Sequence, residues 1–113
     1  FSLLYQENGP ELAPAYDLLS TAIYPDLAKN MAMKIGGKYK PQDVYLRHFY
    51  AHVMNTQAAR GALERQIKKM TAKILDLASQ LQSDLSADGW QSPVFSDIVR
   101  VIHARVKRLR GSF

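Results

Sequence analysis

Between Leu63 and Leu85 an apolar side chain returns every three or four residues. Leu63, Ile67, Met70, Ile74, Leu77 and Leu81 alternate four- and three-residue steps, and Leu85 follows one position late. A strand would need a period of two, so this run commits the middle of the chain to a long α-helix with one apolar seam. A seam needs a partner. Under three heptads is short for a free-standing coiled coil, so packing against neighbouring helices is the expectation, with Ile74 buried and Lys69 outside the contact. Asp88-Gly89 supplies the stop signal. Ser92-Pro93 then offers an N-cap and a first-turn proline for another helix, whose inner face reads Phe95, Ile98, Val99, Ile102, Val106 and Leu109. Pro41 opens an earlier helical pattern, with Tyr45, Leu46, Phe49, Tyr50 and Val53 on one side.

The first forty residues follow a different rule. Phe1-Ser2-Leu3-Leu4-Tyr5 is an apolar run, Glu7-Asn8-Gly9-Pro10 a turn signal, and Glu11–Ala15 a short return, which together predict a β-hairpin. Pro10 cannot donate the bond that closes a two-residue loop, so the loop is expected at Glu7 to Pro10. Paired residue numbers then sum to seventeen, and Asp17 faces the position just before Phe1. A carboxylate carried there reads as half of a site that is completed upstream. Beyond Asp17 the chain is helical or irregular as far as Tyr24, where Pro25 forces a break. Met31, Met33 and Ile35 alternate with Ala32 and Lys34, an extended segment closed by Gly36-Gly37.

At 113 residues the chain is expected to form a single domain, residues 1–113, mainly α, with a small N-terminal β-hairpin followed by a helical bundle. It begins with Phe1 rather than Met, as a fragment or a processed chain would. There is no cysteine, which excludes disulfides and thiolate chemistry and suits the cytoplasm. No apolar run approaches the ~20 residues needed to span a bilayer, and no basic region precedes an apolar stretch as in a signal peptide. The net charge of +5 is uneven. Residues 1–30 are acidic, whereas residues 31–75 are strongly basic, a distribution suited to phosphates or an acidic partner if it is not simply solvated helix surface.

Phe1-Ser2-Leu3-Leu4 and Ala13-Pro14-Ala15-Tyr16-Asp17-Leu18-Leu19-Ser20 resemble the C-lobe of HipA-like serine/threonine kinases, the toxin half of bacterial toxin–antitoxin pairs. In that family a catalytic loop of the form Asp-x-His-x-Lys-Asn runs into Phe-Ser, then a hairpin, then a Tyr-Asp-Leu/Ile-x-Ser segment. The likeness continues through Met31-Ala32-Met33, Tyr45-Leu46-Arg47-His48-Phe49 and the last helix. The family's catalytic loop, nucleotide-binding lysine and phosphate-binding loop would all lie upstream of Phe1. The resemblance implies ATP as substrate, Mg²⁺ held partly by Asp17, Tyr16 lining the nucleotide site, a phosphorylated protein hydroxyl, and a HipB-like DNA-binding antitoxin as partner. Asp17-Leu18-Leu19 stands where many kinases carry Asp-Phe-Gly, and it has no glycine to make a mobile switch. On the residues alone, Asp17 also reads as the cap of a helix starting near Leu18, with Ser20 and Thr21 in its first turn, and Tyr16 as a core-edge aromatic.

Other constellations are weaker. His48 and His52 have the four-residue spacing of two zinc ligands on a helix, but neither a cysteine nor a nearby carboxylate supplies a third. Arg60, Lys68, Lys69 and Lys73 decorate the long helix, and Arg100, His103, Lys107 and Arg110 the last one. These could meet a nucleic-acid backbone, although nothing suggests sequence reading. The chain is therefore expected to be the C-terminal segment of a HipA-like kinase, inactive alone. The alternative is a non-enzymatic helical module that binds an acidic protein or nucleic-acid backbone through its basic faces.

Overall fold

The computed structural model describes residues 2–16 and 18–111. It opens with an antiparallel hairpin, β1 (Leu3–Gln6) and β2 (Gly9–Leu12), followed by an irregular stretch to residue 40. A 3₁₀ turn at Pro41–Asp43 leads into the one-turn helix α1 (Leu46–Phe49), which runs into a second 3₁₀ turn at Tyr50–His52. Two long helices complete the chain: α2 (Gln57–Ala87) and α3 (Pro93–Arg110), packed on each other. The architecture is mainly α with a small N-terminal hairpin, as the sequence implied.

The hairpin is correct in kind and shifted in register. Leu3 pairs with Leu12, Leu4 with Glu11, Tyr5 with Pro10 and Gln6 with Gly9, so paired numbers sum to fifteen rather than seventeen. The turn is Glu7-Asn8, and Gly9 starts β2 at φ +111. Proline explains the choice. Hydrogen-bonded and non-hydrogen-bonded pairs alternate along an antiparallel ladder. With Gln6 and Gly9 as the closing pair, Pro10 falls in a non-hydrogen-bonded pair, where its missing N–H costs nothing. The ladder continues past β2, since Ala13 donates its N–H to the Ser2 carbonyl at 2.9 Å. A shift of two residues preserves the face of every side chain; the expected pairing of Asp17 with the position before Phe1 lies outside the described residues.

The extended segment around Met31–Ile35 folds back on itself. Ile35 and Lys38 exchange backbone hydrogen bonds at 3.0 Å, and Met31 N–H reaches Tyr39 O at 2.8 Å. Gly36 and Gly37, both at positive φ (+52 and +82), make the turn. Gly36 is needed for a second reason: a Cβ there would stand 2.5 Å from the His48 carbonyl oxygen and 2.6 Å from its Cβ. No helix follows Asp17; residues 18–20 have no regular structure, and 22–27 form turns.

The helix expected from Pro41 is broken into short pieces, yet its apolar face survives. Leu46 is 1 % exposed and Val44 6 %, and Tyr45, Phe49, Tyr50 and Val53 are half-buried. The helix ends follow the sequence signals. Thr56 Oγ1 accepts the Ala59 N–H at the start of α2, and Ser92 Oγ accepts that of Val94 ahead of α3. At the end of α2, Gly89 N–H bonds Ser86 O and Trp90 N–H bonds Leu85 O, with Gly89 at φ +86, which is a Schellman stop.

The seam of α2 is where expectation and structure part. Ile67, Thr71, Leu75, Ala78, Gln82 and Leu85 form its covered face, with Thr71 buried. Met70, Ile74, Leu77 and Leu81, one position earlier on the helix, are 59, 46, 55 and 59 % exposed. Two adjacent apolar stripes share this helix, and hydrophobic spacing alone favours the one with larger side chains. Small and locally satisfied residues win the contact: Thr71 Oγ1 donates back to the Ile67 carbonyl at 2.8 Å, and Gln82 Nε2 donates to Ser96 on α3 at 2.9 Å. On α3, all six residues of the expected face are covered, with Val106 5 % exposed.

Such a small set of buried side chains concentrates stability in few positions. The radius of gyration, 16.7 Å, exceeds the roughly 13 Å of a compact chain of this length. Leu46→Ala should cost about 2–5 kcal/mol in denaturant unfolding, whereas Ile74→Asp should cost on the order of 1 kcal/mol or less because its side chain already meets water. Comparable losses would show that the exposed stripe is the packed one. Thermal melts should likewise rank Gly36→Ala well below Gly37→Ala. Both strain the backbone at positive φ, but only Gly36 has a neighbour in the way.

Candidate functional site

The segment that leaves β2 runs beside Ser2 rather than away from it. The Ala13–Ser2 backbone bond holds Ala13 in line with the ladder, and Pro14 disfavours helical backbone at Ala13. Three residues on, the Tyr16 hydroxyl lies 2.9 Å from Ser2 Oγ, which closes the base of the hairpin with a side-chain bond. Tyr16 is 69 % exposed, so it is not the core-edge aromatic that one reading allowed. It borders an open cleft of about 450 Å³, together with Ser2, Leu12, Pro14 and Leu18. Asp17, assigned a metal by resemblance, lies outside the described residues. The competing role, capping a helix that begins near Leu18, has no helix to cap.

A magnesium ion keeps most of its positions for water and phosphate oxygens and asks a protein for one or two carboxylates. Among the described residues no three His, Asp or Glu side chains gather as a metal site. The cleft wall offers two hydroxyls, Ser2 and Tyr16, beside apolar groups and no cation for phosphates. Among the described residues these donors do not make a self-contained nucleotide–metal site, and the carboxylate of Asp17 would have to be part of any that held Mg²⁺.

The two spaced histidines are tied to backbone instead of metal. Tyr45 donates its N–H to His48 Nδ1 at 2.9 Å while His48 N–H bonds Tyr45 O at 2.9 Å, a reciprocal pair that starts α1. Gly36 donates its N–H to His52 Nε2 at 3.3 Å. The lone pairs that zinc would need are in use.

A polar cluster at the start of α2 was not read from the sequence. Tyr50 donates its hydroxyl to Glu64 Oε1 at 2.6 Å, Arg60 lies over the Tyr50 ring at 5.2 Å, and Arg60 Nη2 donates to Asn55 Oδ1 at 2.7 Å. The Glu64 carboxylate holds the Tyr50 proton in place and pushes its pKa up, with burial adding to the shift. Arg60, expected on the outer face of the long helix, is exposed there and also covers the Tyr50 ring, while Glu64 is half-buried against the Tyr50 hydroxyl. Only the apolar Tyr50 beside a helix start hinted at this. On α3, Arg100 pairs with Asp97 at 2.8 Å, and His103, Lys107 and Arg110 are exposed as expected.

Residues 1–83 match the family described as the HipA-like C-terminal domain. The chain belongs to that family. It is also 33 % identical over 102 residues to a protein of Sinorhizobium fredii named "Putative kinase Y4mE", a match covering 88 % of this chain. The chain spans about a quarter of that relative's length, 24 %. No solved structure matches it. No described helix is long and apolar enough to cross a membrane.

His48 gives the fold a pH dependence whose sign can be stated. Its pKa lies below the ordinary 6.5 because burial penalises the charged ring, and Arg47 and Lys38 add to this against Asp43. A protonated Nδ1 also carries a hydrogen and cannot accept the Tyr45 N–H. As pH falls through about 6.5 the unfolded chain therefore takes up this proton first. The stabilisation is complete above that pH and is lost between it and the lowered folded value. His48→Asn keeps an acceptor near the Nδ1 position and does not titrate, so its melting temperature should fall less than the wild type's between pH 7.5 and 5.5. Parallel pH curves would assign the dependence elsewhere.

Proposed function

We propose that this chain is the C-terminal part of a HipA-type protein serine/threonine kinase, and that its hairpin base contributes the nucleotide-side edge of the active site. The observation that carries the proposal is the Tyr16–Ser2 hydrogen bond, within the segment that matches the HipA-like C-terminal domain. That bond fixes the chain on the residue before Asp17 while leaving Tyr16 open to a ligand. In this reading Asp17 holds Mg²⁺ through a carboxylate oxygen and Tyr16 borders the nucleotide. The bound metal would neutralise charge on the β- and γ-phosphates of ATP. Ser2 orients Tyr16. The catalytic base and the phosphate-binding lysine belong to other parts of the kinase, so this chain alone has no activity. A protein hydroxyl accepts the phosphoryl group, and a HipB-like DNA-binding antitoxin is the partner, both in the cytoplasm.

The decisive substitution is Asp17→Asn in the intact kinase. Asparagine keeps the size and a side-chain acceptor, but it lacks the charge that holds the metal. Phosphoryl transfer should fall by about a hundredfold or more with the melting curve unchanged. Asp17→Ala should also abolish activity, whereas an aspartate with a merely structural role would lose stability and stay active. An Asp17→Asn enzyme with full activity ends this assignment. The 113-residue chain, incubated with radiolabelled ATP, should phosphorylate neither itself nor a generic protein.

A further inference from the structure

The cleft between the irregular stretch 21–42 and α3 has the wall chemistry of an anion site. It encloses about 360 Å³ and is lined by Thr21, Lys29, Asn30, Gln42, Val101 and Arg105 among others, with no carboxylate in the wall. We propose that this cleft binds a phosphate group, free or esterified. The proposal does not rest on the kinase reading.

Its two cations are not neutralised by the fold. Lys29 Nζ donates to the Tyr24 carbonyl at 2.6 Å and to the Ala22 carbonyl at 3.4 Å. Carbonyls position the ammonium but carry no formal charge, so the positive charge and a third N–H remain for a ligand. Arg105 forms no hydrogen bond or ion pair with any described residue. Its guanidinium presents a fork of donors suited to two phosphate oxygens. Elsewhere on α3, Arg100 has a carboxylate beside it in Asp97. Among the described cations of α3, Arg105 is the one that lines this cleft.

Neutral donors supply the rest. Asn30 and Gln42 carry amide N–H groups and Thr21 a hydroxyl, and a phosphate with three terminal oxygens accepts more bonds than a carboxylate with two. Ala22, Ala28, Met31, Pro41 and Val101 are the apolar part of the wall, and apolar surroundings lower the local dielectric and strengthen attraction to an anion. The volume exceeds that of one phosphate and lies within the roughly 300–1,000 Å³ of small-molecule sites, leaving room for an esterified group.

The test is amide-resolved NMR of the 113-residue chain titrated with inorganic phosphate and, separately, with phosphoserine, each against chloride at matched ionic strength. Saturable shifts at Thr21, Asn30 and Gln42 that chloride does not reproduce are expected. Arg105→Gln should weaken binding about tenfold or more, while Arg100→Gln should change it less than twofold. Response to phosphoserine assigns the esterified source, and response to inorganic phosphate alone assigns the free anion. No response to either, shifts reproduced by chloride, or binding untouched by Arg105→Gln would overturn the site. If far-UV circular dichroism shows that Arg105→Gln does not fold, Gln42→Ala takes its place. Several-fold weaker binding then supports the site and unchanged binding overturns it.

Discussion

The close approach of Gly36 to His48 ties the two halves of this chain together. Only a residue without a Cβ fits against the His48 backbone, and only one comfortable at φ +52 makes the turn there. The contact brings Gly36 N–H to His52 and leaves His48 Nδ1 to begin α1 from the Tyr45 N–H. One glycine and two histidines thus join the irregular stretch 31–40 to the short helix that carries Leu46. Leu46, the most deeply buried side chain, and Val44 lie directly beside this junction. The cavity bounded by Met31, Ile35, Val44, Phe49 and Leu109 shows α3 meeting the same place.

Because so few side chains are deeply buried, backbone satisfaction carries an unusual share of the organisation. α1 is too short to be stable by itself, since helix nucleation costs more than one turn returns. Its start is fixed by the paired Tyr45–His48 bonds, and its continuation by the 3₁₀ turn through His52. Histidine suits this role only while neutral. The pH sensitivity of His48 therefore belongs to the scaffold and not to a catalytic group. The spacing that resembled a zinc pair has a structural cause: two turns of chain each needed an acceptor for an otherwise unpaired N–H.

Much of the fold was legible because its signals are local. Ser92-Pro93, Asp88-Gly89 and Gly36-Gly37 act through backbone conformation and did what their chemistry dictates. The inner face of α3 was readable too, since one apolar stripe dominates that helix. α2 was harder. Its covered face includes Thr71, Ala78 and Gln82, which a hydrophobic count passes over, and its exposed stripe is richer in large apolar residues. The hairpin register failed for a similar reason: turn propensity favoured Asn8-Gly9, whereas the position of Pro10 in the ladder decided the outcome. Of the candidate site, Tyr16 could be placed from sequence as a neighbour of the hairpin, but its bond to Ser2 depends on a register that sequence set two residues off. The Tyr50–Glu64–Arg60 cluster joins residues up to fourteen apart across a bend, beyond the reach of any periodicity.

Stability and the proposed site reside in different parts of the molecule, and this separation has a physical basis. In the hairpin, apart from half-buried Gly9, every described strand residue is exposed, including Tyr5 at 84 % and Leu12 at 72 %. A two-stranded ribbon with no covered face is marginal by itself. What holds its base in register is polar: the Ser2–Ala13 backbone bond and the Ser2–Tyr16 side-chain bond. Hydrogen bonds in water contribute about 1 kcal/mol each, enough to bias a local conformation but not to lock it. A ligand that engages Tyr16 would therefore act on an element whose order is soft, while Leu46, Val106 and the α2–α3 contact keep the scaffold unchanged. Affinity at the hairpin base is then set by how far the ligand and neighbouring surfaces complete the order that Ser2 begins.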